Sequence, residues 1–307
     1  MTEFALPSSS TKPFDIQRQM VAHMTSLSWQ NVPHISYLYE PDVTDFSNEF
    51  KKLAAEYAAA GTRLSINTIL VKVIIEGLKA DPTLNAWIDY DLPRARGKVM
   101  LSEAINVSIP WKLTDGRMIT PTLNHTENLS LHELNQAVLE LGERIERTNI
   151  DELIHQAVVT NTVNELKKGN LEVFRRIFAN LRRLNQHLKG LAKQTYYAIP
   201  AKDRLVGDDL TSGTVTISNI GSLYKEQRGN FALLEIVPPQ IFAVGLGAMQ
   251  EKPGVFTNVK GEKEIGIRNT LPMCMAFDHR AIDFDAMIPF LRKLDDIFEH
   301  PEIIHTW

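Results

Sequence analysis

Apolar residues recur at intervals of three and four along several stretches of this chain, and alternate or run together between them. These two patterns mark helices and strands respectively. Ile16, Met20, Met24 and Leu27 predict a first helix over 15–27, and the alternation from His34 to Glu40 predicts a strand. Phe46, Phe50, Leu53 and Tyr57 share one face of a helix that starts at Asp42 or Thr44 and stops before Gly61, a residue suited to the left-handed turn past a helix end. Ser65 can cap the next helix, 66–79, which is apolar on most sides and should be interior.

Residues 99–122 predict a hairpin turning at Asp115 and Gly116, with Pro110 and Pro121 at strand ends or edges. Ser130 and Glu133 form a capping box ahead of Leu131, Leu134, Val138, Leu141 and Ile145, which predicts another helix. Two more helices are expected in about 150–195, broken at Gly169 and Asn170. The second, over 171–193, carries a seam of Phe174, Ile177, Leu181, Leu184, Leu188 and Leu191. Its heptad-like spacing is too short for a freestanding coiled coil, so a helical hairpin packed on its own domain is expected. Beyond it, strands are predicted over 214–218 and 241–248, the latter apolar throughout and buried on both faces. A hairpin around Lys260 and Gly261 leads to a last buried strand from Met273, which runs directly into an amphipathic helix.

That last junction concentrates chemistry. Asp278, His279, Arg280 and Asp283 occupy the turn, where flanking elements fix their positions. A histidine there can act as a general base near neutral pH. Taken alone, the tripeptide Asp-His-Arg reads as a capping aspartate and an exposed histidine. His34 comes ahead of a helix start, away from this junction, and is read as structural.

Composition narrows the function classes. A chain of 307 residues with 44% apolar content can bury a sizeable core, as one large domain or two modest ones. Residues 1–14 have linker composition, leaving 15–307 as the folded unit. The net charge of −4 gives no reason to expect nucleic acid or a membrane surface. The sole cysteine, Cys274, lies in an apolar run and reads as a core thiol. With no apolar run near eighteen residues and no signal-peptide pattern, a soluble, cytoplasmic protein is expected. There is no dinucleotide fingerprint, P-loop, Cys/His metal spacing or G-x-S-x-G elbow, which argues against nucleotide, metal and lipase-type chemistry. Locally, 171–193 is basic: Arg175, Arg176, Arg182, Arg183, Lys189 and Lys193 stand against Glu172 alone. A solvated face is the usual fate of such a run, and an acidic partner is the alternative.

The junction acquires meaning from its context. Asp278-His-Arg-Ala-Ile-Asp283 resembles the D-H-R-x-x-D-G signature of the 2-oxo acid dehydrogenase acyltransferases. In the same order along the chain, Val32-Pro33-His34 with Asp42-Val43-Thr44, Asp81-Pro-Thr-Leu-Asn-Ala86, Gly213-Thr-Val-Thr-Ile-Ser-Asn-Ile-Gly221 and Pro238-Pro239-Gln240 resemble further motifs of that family. Two departures stand out. Phe284 replaces the family glycine, so either the turn is rebuilt or the substrate channel is altered, and the segment near 150–195 is inserted.

The resemblance implies an α/β fold of the chloramphenicol-acetyltransferase type, a layered sandwich of a mixed sheet with helices, plus the inserted helical hairpin. It implies His279 as general base, Ser218 as oxyanion-stabilising hydroxyl with Thr216 as fallback, and an orienting role for Asp283 through an ion pair. Asn219 and Arg280 stand beside them as orienting or fallback residues. It further implies a homotrimer, or a multiple of trimers, with the site between subunits, and no tightly bound cofactor. The first expectation is a stand-alone acyltransferase using a coenzyme A or acyl-carrier-protein thioester and a small hydroxyl or thiol acceptor, as in tetronate-type natural-product pathways. The alternatives are the acyltransferase core of a 2-oxo acid dehydrogenase complex, acting on a lipoyl group borne by another chain, and a non-catalytic trimeric scaffold. Arg175, Arg176, Arg182 and Arg183 are the expected docking surface for an anionic donor or its carrier.

Overall fold

The computed structural model describes residues 14–156, 188–258 and 260–307. Its centre is a six-stranded mixed sheet. In chain order the strands are β1 (His34–Tyr39), β4 (Val107–Ser108), β7 (Thr122–Leu123), β8 (Val215–Asn219), β9 (Phe242–Leu246) and β12 (Met273–Asp278). Across the sheet they run β1-β12-β9-β8-β4-β7. Parallel pairs β4–β8 and β8–β9 combine with antiparallel β1–β12, β12–β9 and β4–β7. This is the expected layered architecture of a mixed sheet with helices.

One face of the sheet carries Val215, Ile217, Phe242, Val244, Leu246, Met273, Met275 and Phe277, all in the main core. Against that core pack α2 (Thr44–Ala59), α3 (Ile66–Ala80), α4 (Leu131–Glu146) and α7 (Met287–Glu299). As its sequence implies, α3 is interior from Thr68 to Leu78 on nearly every side, and the Ser65 side chain caps it by accepting from the Thr68 N–H. The Ser130–Glu133 capping box of α4 forms as predicted. At Gly77, α3 meets α7 so closely that an added Cβ would lie 2.6 Å from Leu294 and 2.7 Å from Phe290. Gly77→Ala should therefore destabilise the fold by about 1–3 kcal/mol, the usual cost of overpacking, as a lowered denaturant midpoint with an unchanged slope.

Several boundaries depart from the sequence reading. Helix α1 (Ile16–Asn31) runs four residues past Leu27 and closes with the Val32 N–H on the Ser28 carbonyl. Its last turn is polar and presents Trp29 largely to solvent, with the indole N–H donating to Glu235, so the apolar period stops before the helix does. Residues 99–101 belong not to the predicted hairpin but to β3 (Arg96–Leu101), paired with β2 (Ala86–Asp91). β3 is exposed at nearly every position and leaves no buried stripe to read. The hairpin itself forms, with β5 (Trp111–Lys112) on β6 (Met118–Ile119) inside β4 on β7. The predicted ribbon around Gly261 forms as β10 (Gln250–Thr257) on β11 (Lys263–Thr270).

Of the segment read as an insertion, 150–195, only 150–156 and 188–195 are among the described residues. The residues singled out at 175, 176, 182 and 183, like the break at Gly169 and Asn170, lie outside the described residues. A helix whose described residues are 150–156 (α5) enters it, and α6 (Gly190–Ala198) follows it. The predicted helix over 171–193 does not continue through its last turn. Lys189 is extended, Gly190 has φ +56°, and Leu191, the last seam residue, is mostly exposed.

Glu152 on α5 holds the two ends together. It accepts from the Tyr197 hydroxyl at 2.6 Å and from the Leu188 N–H at 2.9 Å, while Arg204 lies over the rings of Tyr196 and Tyr197. Burial works against the Glu152 carboxylate, but the two donors outweigh it and hold its pKa below the usual range. The stability this adds is present above the pKa of an unfolded glutamate and is lost as pH falls through the lowered folded value. Glu152→Ala should cost about 1–3 kcal/mol, because it strands two partly buried donors. Denaturant unfolding should show the deficit near neutral pH and show it shrinking on acidification.

Candidate active site

Strand β12 ends at Asp278, whose side chain is fully buried. Its Oδ1 accepts from the Arg280 backbone N–H at 2.9 Å, and its two oxygens accept from Arg280 Nε and Nη2, the latter at 2.6 Å. Its carbonyl accepts from the Ala281 and Ile282 N–H groups. A buried carboxylate needs such pairing, and the pairing folds the chain into a closed turn. Arg280 also lies over the Tyr90 ring, 5.5 Å from its centroid. The turn pushes His279 outward, where it is 45% exposed, with its backbone N–H on the Pro33 carbonyl.

The His279 ring is set by its Nδ1. That atom lies 3.1 Å from the Ile282 carbonyl oxygen and 3.2 Å from Asp283 Oδ1. A carbonyl oxygen can only accept, so Nδ1 carries the proton and Nε2 keeps the lone pair that abstracts protons. Asp283 thus meets His279, and among the described residues it has no lysine or arginine partner. The arginine pair of this turn is instead made by Asp278 with Arg280.

Phe284 rebuilds the turn without strain. Asp283 has φ −102°, and a 3-10 turn, Phe284–Ala286, starts the approach to α7. Phe284 does not have a positive φ. Its ring fills no pocket but lies half exposed against Tyr37, with centroids 5.4 Å apart. A glycine's conformational freedom is not needed here.

Ser218 sits in β8, half-buried, and its hydroxyl has no hydrogen-bond partner among the described residues. Thr216 is committed elsewhere, its buried hydroxyl donating to Gln240 Oε1 at 2.7 Å. Asn219 is tied to the helices, donating to Asn67 Oδ1 at 2.9 Å and accepting from the Ser222 N–H. Of the two candidate hydroxyls, Ser218 is the one free to serve a ligand.

The structure does not bring Ser218 and His279 together within one chain. Ser218 pairs with Gly245 on β9, and Gly245 with Cys274 on β12, five residues before His279. At about 3.4 Å per residue along a strand and 4.8 Å between strands, the two lie roughly 20 Å apart. Ser218 also faces away from the main core, on the side where Ala243, Ala276, Val32 and Ile236 form a small second cluster. That side buries Cys274, whose thiol pKa is raised by desolvation. His34 is structural, as read: its Nε2 accepts from the Ile236 N–H at 3.1 Å.

Sequence reasoning passed over the buried Asp278–Arg280 pair, although both residues stand in the motif. It could not reach Asn67 or Gln240, whose roles depend on contacts far apart in the chain. Among the described residues no cluster of three or more His, Cys, Asp or Glu gathers as for a metal ion, and no helix is long and apolar enough to cross a membrane.

Comparison with known proteins bears on the family and the fold. Residues 7–165 and 181–306 match the family described as 2-oxoacid dehydrogenases acyltransferase (catalytic domain). The dihydrolipoyllysine-residue acetyltransferase component of the pyruvate dehydrogenase complex from Mycobacterium bovis is 24% identical over 267 residues, covering 87% of this chain and 37% of that protein. Its counterpart from Staphylococcus aureus is 22% identical over 299 residues, covering 96% and 53%. The chain thus spans about a third to a half of the length of these relatives.

Among solved structures, the cubic core of a pyruvate dehydrogenase multienzyme complex superposes with a TM-score of 0.66 at 19% identity, covering 99% of this chain and 97% of that one. Azotobacter vinelandii dihydrolipoamide acetyltransferase, solved to examine a serine, a histidine and an asparagine in its catalytic mechanism, gives 0.65 at 19% identity with the same coverage. By its fold and by the family match over most of its length, the chain belongs to the 2-oxoacid dehydrogenase acyltransferases and corresponds to their catalytic domain.

Proposed function

We propose that this protein transfers an acyl group between a thioester and a small thiol or hydroxyl acceptor, at a site formed by two copies of the chain. His279 Nε2 takes the proton from the acceptor as its sulfur or oxygen attacks the thioester carbonyl. The Ser218 hydroxyl of the neighbouring copy donates to the oxyanion of the tetrahedral intermediate. The carbon–sulfur bond then breaks, and His279 returns the proton to the leaving thiolate. No acyl-enzyme and no bound cofactor are required.

The observation that carries this reading is the fixed tautomer of His279, with Nδ1 engaged by a carbonyl and Nε2 free. The roughly 20 Å between His279 and Ser218 supports the shared site, since a base must come within about 3 Å of the proton it takes. A trimer, or a multiple of trimers, is the assembly that the family resemblance favours. The names of the relatives, dihydrolipoyllysine-residue acetyltransferases, favour an acetyl group and a dihydrolipoyl acceptor or donor. Phe284 in place of the family glycine, and residues 166–180, which the family match leaves out, set the chain apart from these relatives, and the second reading is a small hydroxyl acceptor with a coenzyme A or carrier-protein donor.

Thiol release from acetyl-coenzyme A, run with dihydrolipoamide, a lipoylated domain or a small alcohol, separates these acceptors. No release with any of them would leave a scaffold as the reading. Co-expression of His279→Ala with Ser218→Ala tests the shared site. Mixed oligomers should regain a fraction of activity that neither variant shows alone, and no recovery would place both groups in one chain's site.

A further inference from the structure

The β2–β3 ribbon meets the His279 turn through one side chain. Its base is tied to neighbouring segments: the Trp87 indole N–H donates to the Gly213 carbonyl at 3.0 Å, and the Ile88 N–H to the Pro239 carbonyl at 2.9 Å. Its tip, residues 92–96, is exposed. Between base and tip stands Tyr90, partly buried, with the Arg280 guanidinium over its ring, 5.5 Å from the centroid. Tyr90 pairs across the ribbon with Gly97 on β3. A Cβ at Gly97 would fall 2.8 Å from Tyr90 Cδ2 and 2.7 Å from the Asp89 carbonyl oxygen. Glycine inside a strand weakens it and often marks such a close approach. Gly97 thus leaves room for the Tyr90 ring in the position from which it meets Arg280.

A contact at Arg280 has leverage on the base. The buried Asp278 carboxylate has no cationic partner but Arg280 among the described residues, with Nη2 at 2.6 Å. The Arg280 side chain is 20% exposed, and a long cationic side chain at a surface is drawn toward water. The face of an aromatic ring attracts a guanidinium and keeps this one on Asp278. From there the connection runs through the backbone. The Asp278 carbonyl accepts from the Ala281 and Ile282 N–H groups, and the Ile282 carbonyl fixes His279 Nδ1. We infer that Tyr90 is a positioning residue for the reaction: by bracing Arg280 it keeps the Asp278–Arg280 pair closed, and through that pair it holds the Ile282 carbonyl on His279. The base must lie within about 3 Å of the proton it takes, so a loosened turn costs rate more than binding. This inference rests on the acyl-transfer reading above and extends it to a residue outside every motif by which the chain resembles its family.

The test measures transfer from acetyl-coenzyme A to whichever acceptor wild type uses among dihydrolipoamide, a lipoylated domain and a small alcohol. Tyr90→Ala should lower kcat by about 10–100-fold, the order that a misplaced reacting group costs, with KM for both substrates little changed. Tyr90→Phe keeps the ring face and should hold kcat near that of wild type. Tyr90→Leu keeps apolar bulk without a ring face. It should lose kcat like the alanine variant, and it secures the test if that variant fails to fold. Gly97→Ala should displace Tyr90 and lower kcat as well. In the Tyr90→Ala background it should cost no further turnover, because residues that act through one contact are not additive. Wild-type kcat in folded Tyr90→Ala or Tyr90→Leu would overturn the brace and leave the acyl-transfer reading standing, as would additive losses in the double variant. Absence of transfer to every acceptor in wild type would overturn that reading, and the brace with it.

Discussion

His279→Ala is expected to lower kcat by about 10²–10⁴, the usual share of general acid–base catalysis, while leaving folding and assembly intact. The physical grounds for both halves lie in the ring's surroundings. The His279 side chain is half exposed and, among the described residues, its ring bonds to the Ile282 carbonyl and Asp283 and meets the edge of Phe277, so its removal empties no core and strands no buried donor. Catalytically it cannot be replaced, because the nearest other acid or base, Asp283, is oriented toward Nδ1 and not toward the open side of the ring. Asp283→Ala should do less harm than His279→Ala, since the Ile282 carbonyl still selects the tautomer. Steady-state rates with acetyl-coenzyme A and the preferred acceptor, alongside sedimentation of each variant, check these expectations. A His279 variant with near-normal turnover would remove it from the mechanism.

Ser218→Ala should reduce kcat by roughly 10²–10³ with KM little changed, as expected for one oxyanion donor lost. Thr216→Ala makes the informative contrast. Its hydroxyl is spent on Gln240 in a buried site, so its loss should appear mainly in stability, at about 1–3 kcal/mol for the stranded partner. The two variants thus separate along different axes, one in turnover and one in unfolding. Normal turnover for Ser218→Ala with crippled Thr216→Ala would reverse the assignment.

Much of this was legible in the chain because the signals are local. The capping box at Ser130, the apolar helix after Ser65 and the buried strand leading to His279 each depend on neighbours within a few residues. The Asp-His-Arg turn shows its residue types in sequence, and its resemblance to a known signature supplies their roles. What was not legible needed the third dimension. That Ser218 lies on one face and end of the sheet and His279 at the other end follows from pairing through β9. The contact of Tyr90 with Arg280 depends on where the β2–β3 ribbon is anchored, at Gly213 and Pro239. The helix read through 171–193 does not hold at its described end, where Lys189 and Gly190 leave helical geometry although Leu191 keeps the spacing.

The clasp between α5 and α6 has a consequence for the chain between them. Because Glu152 binds both Leu188 and Tyr197, the described residues on either side of 157–187 are held together, and the folding chain must bring its two sides together across that length to make the contact. Closure entropy grows by only about 0.6 kcal/mol for each doubling of a loop. Replacing the thirty-one residues by a linker of about four would remove three doublings, worth about 2 kcal/mol. The segment can therefore change length at little thermodynamic cost to the domain that carries it, which leaves its sequence free to diverge while the catalytic frame stays the same.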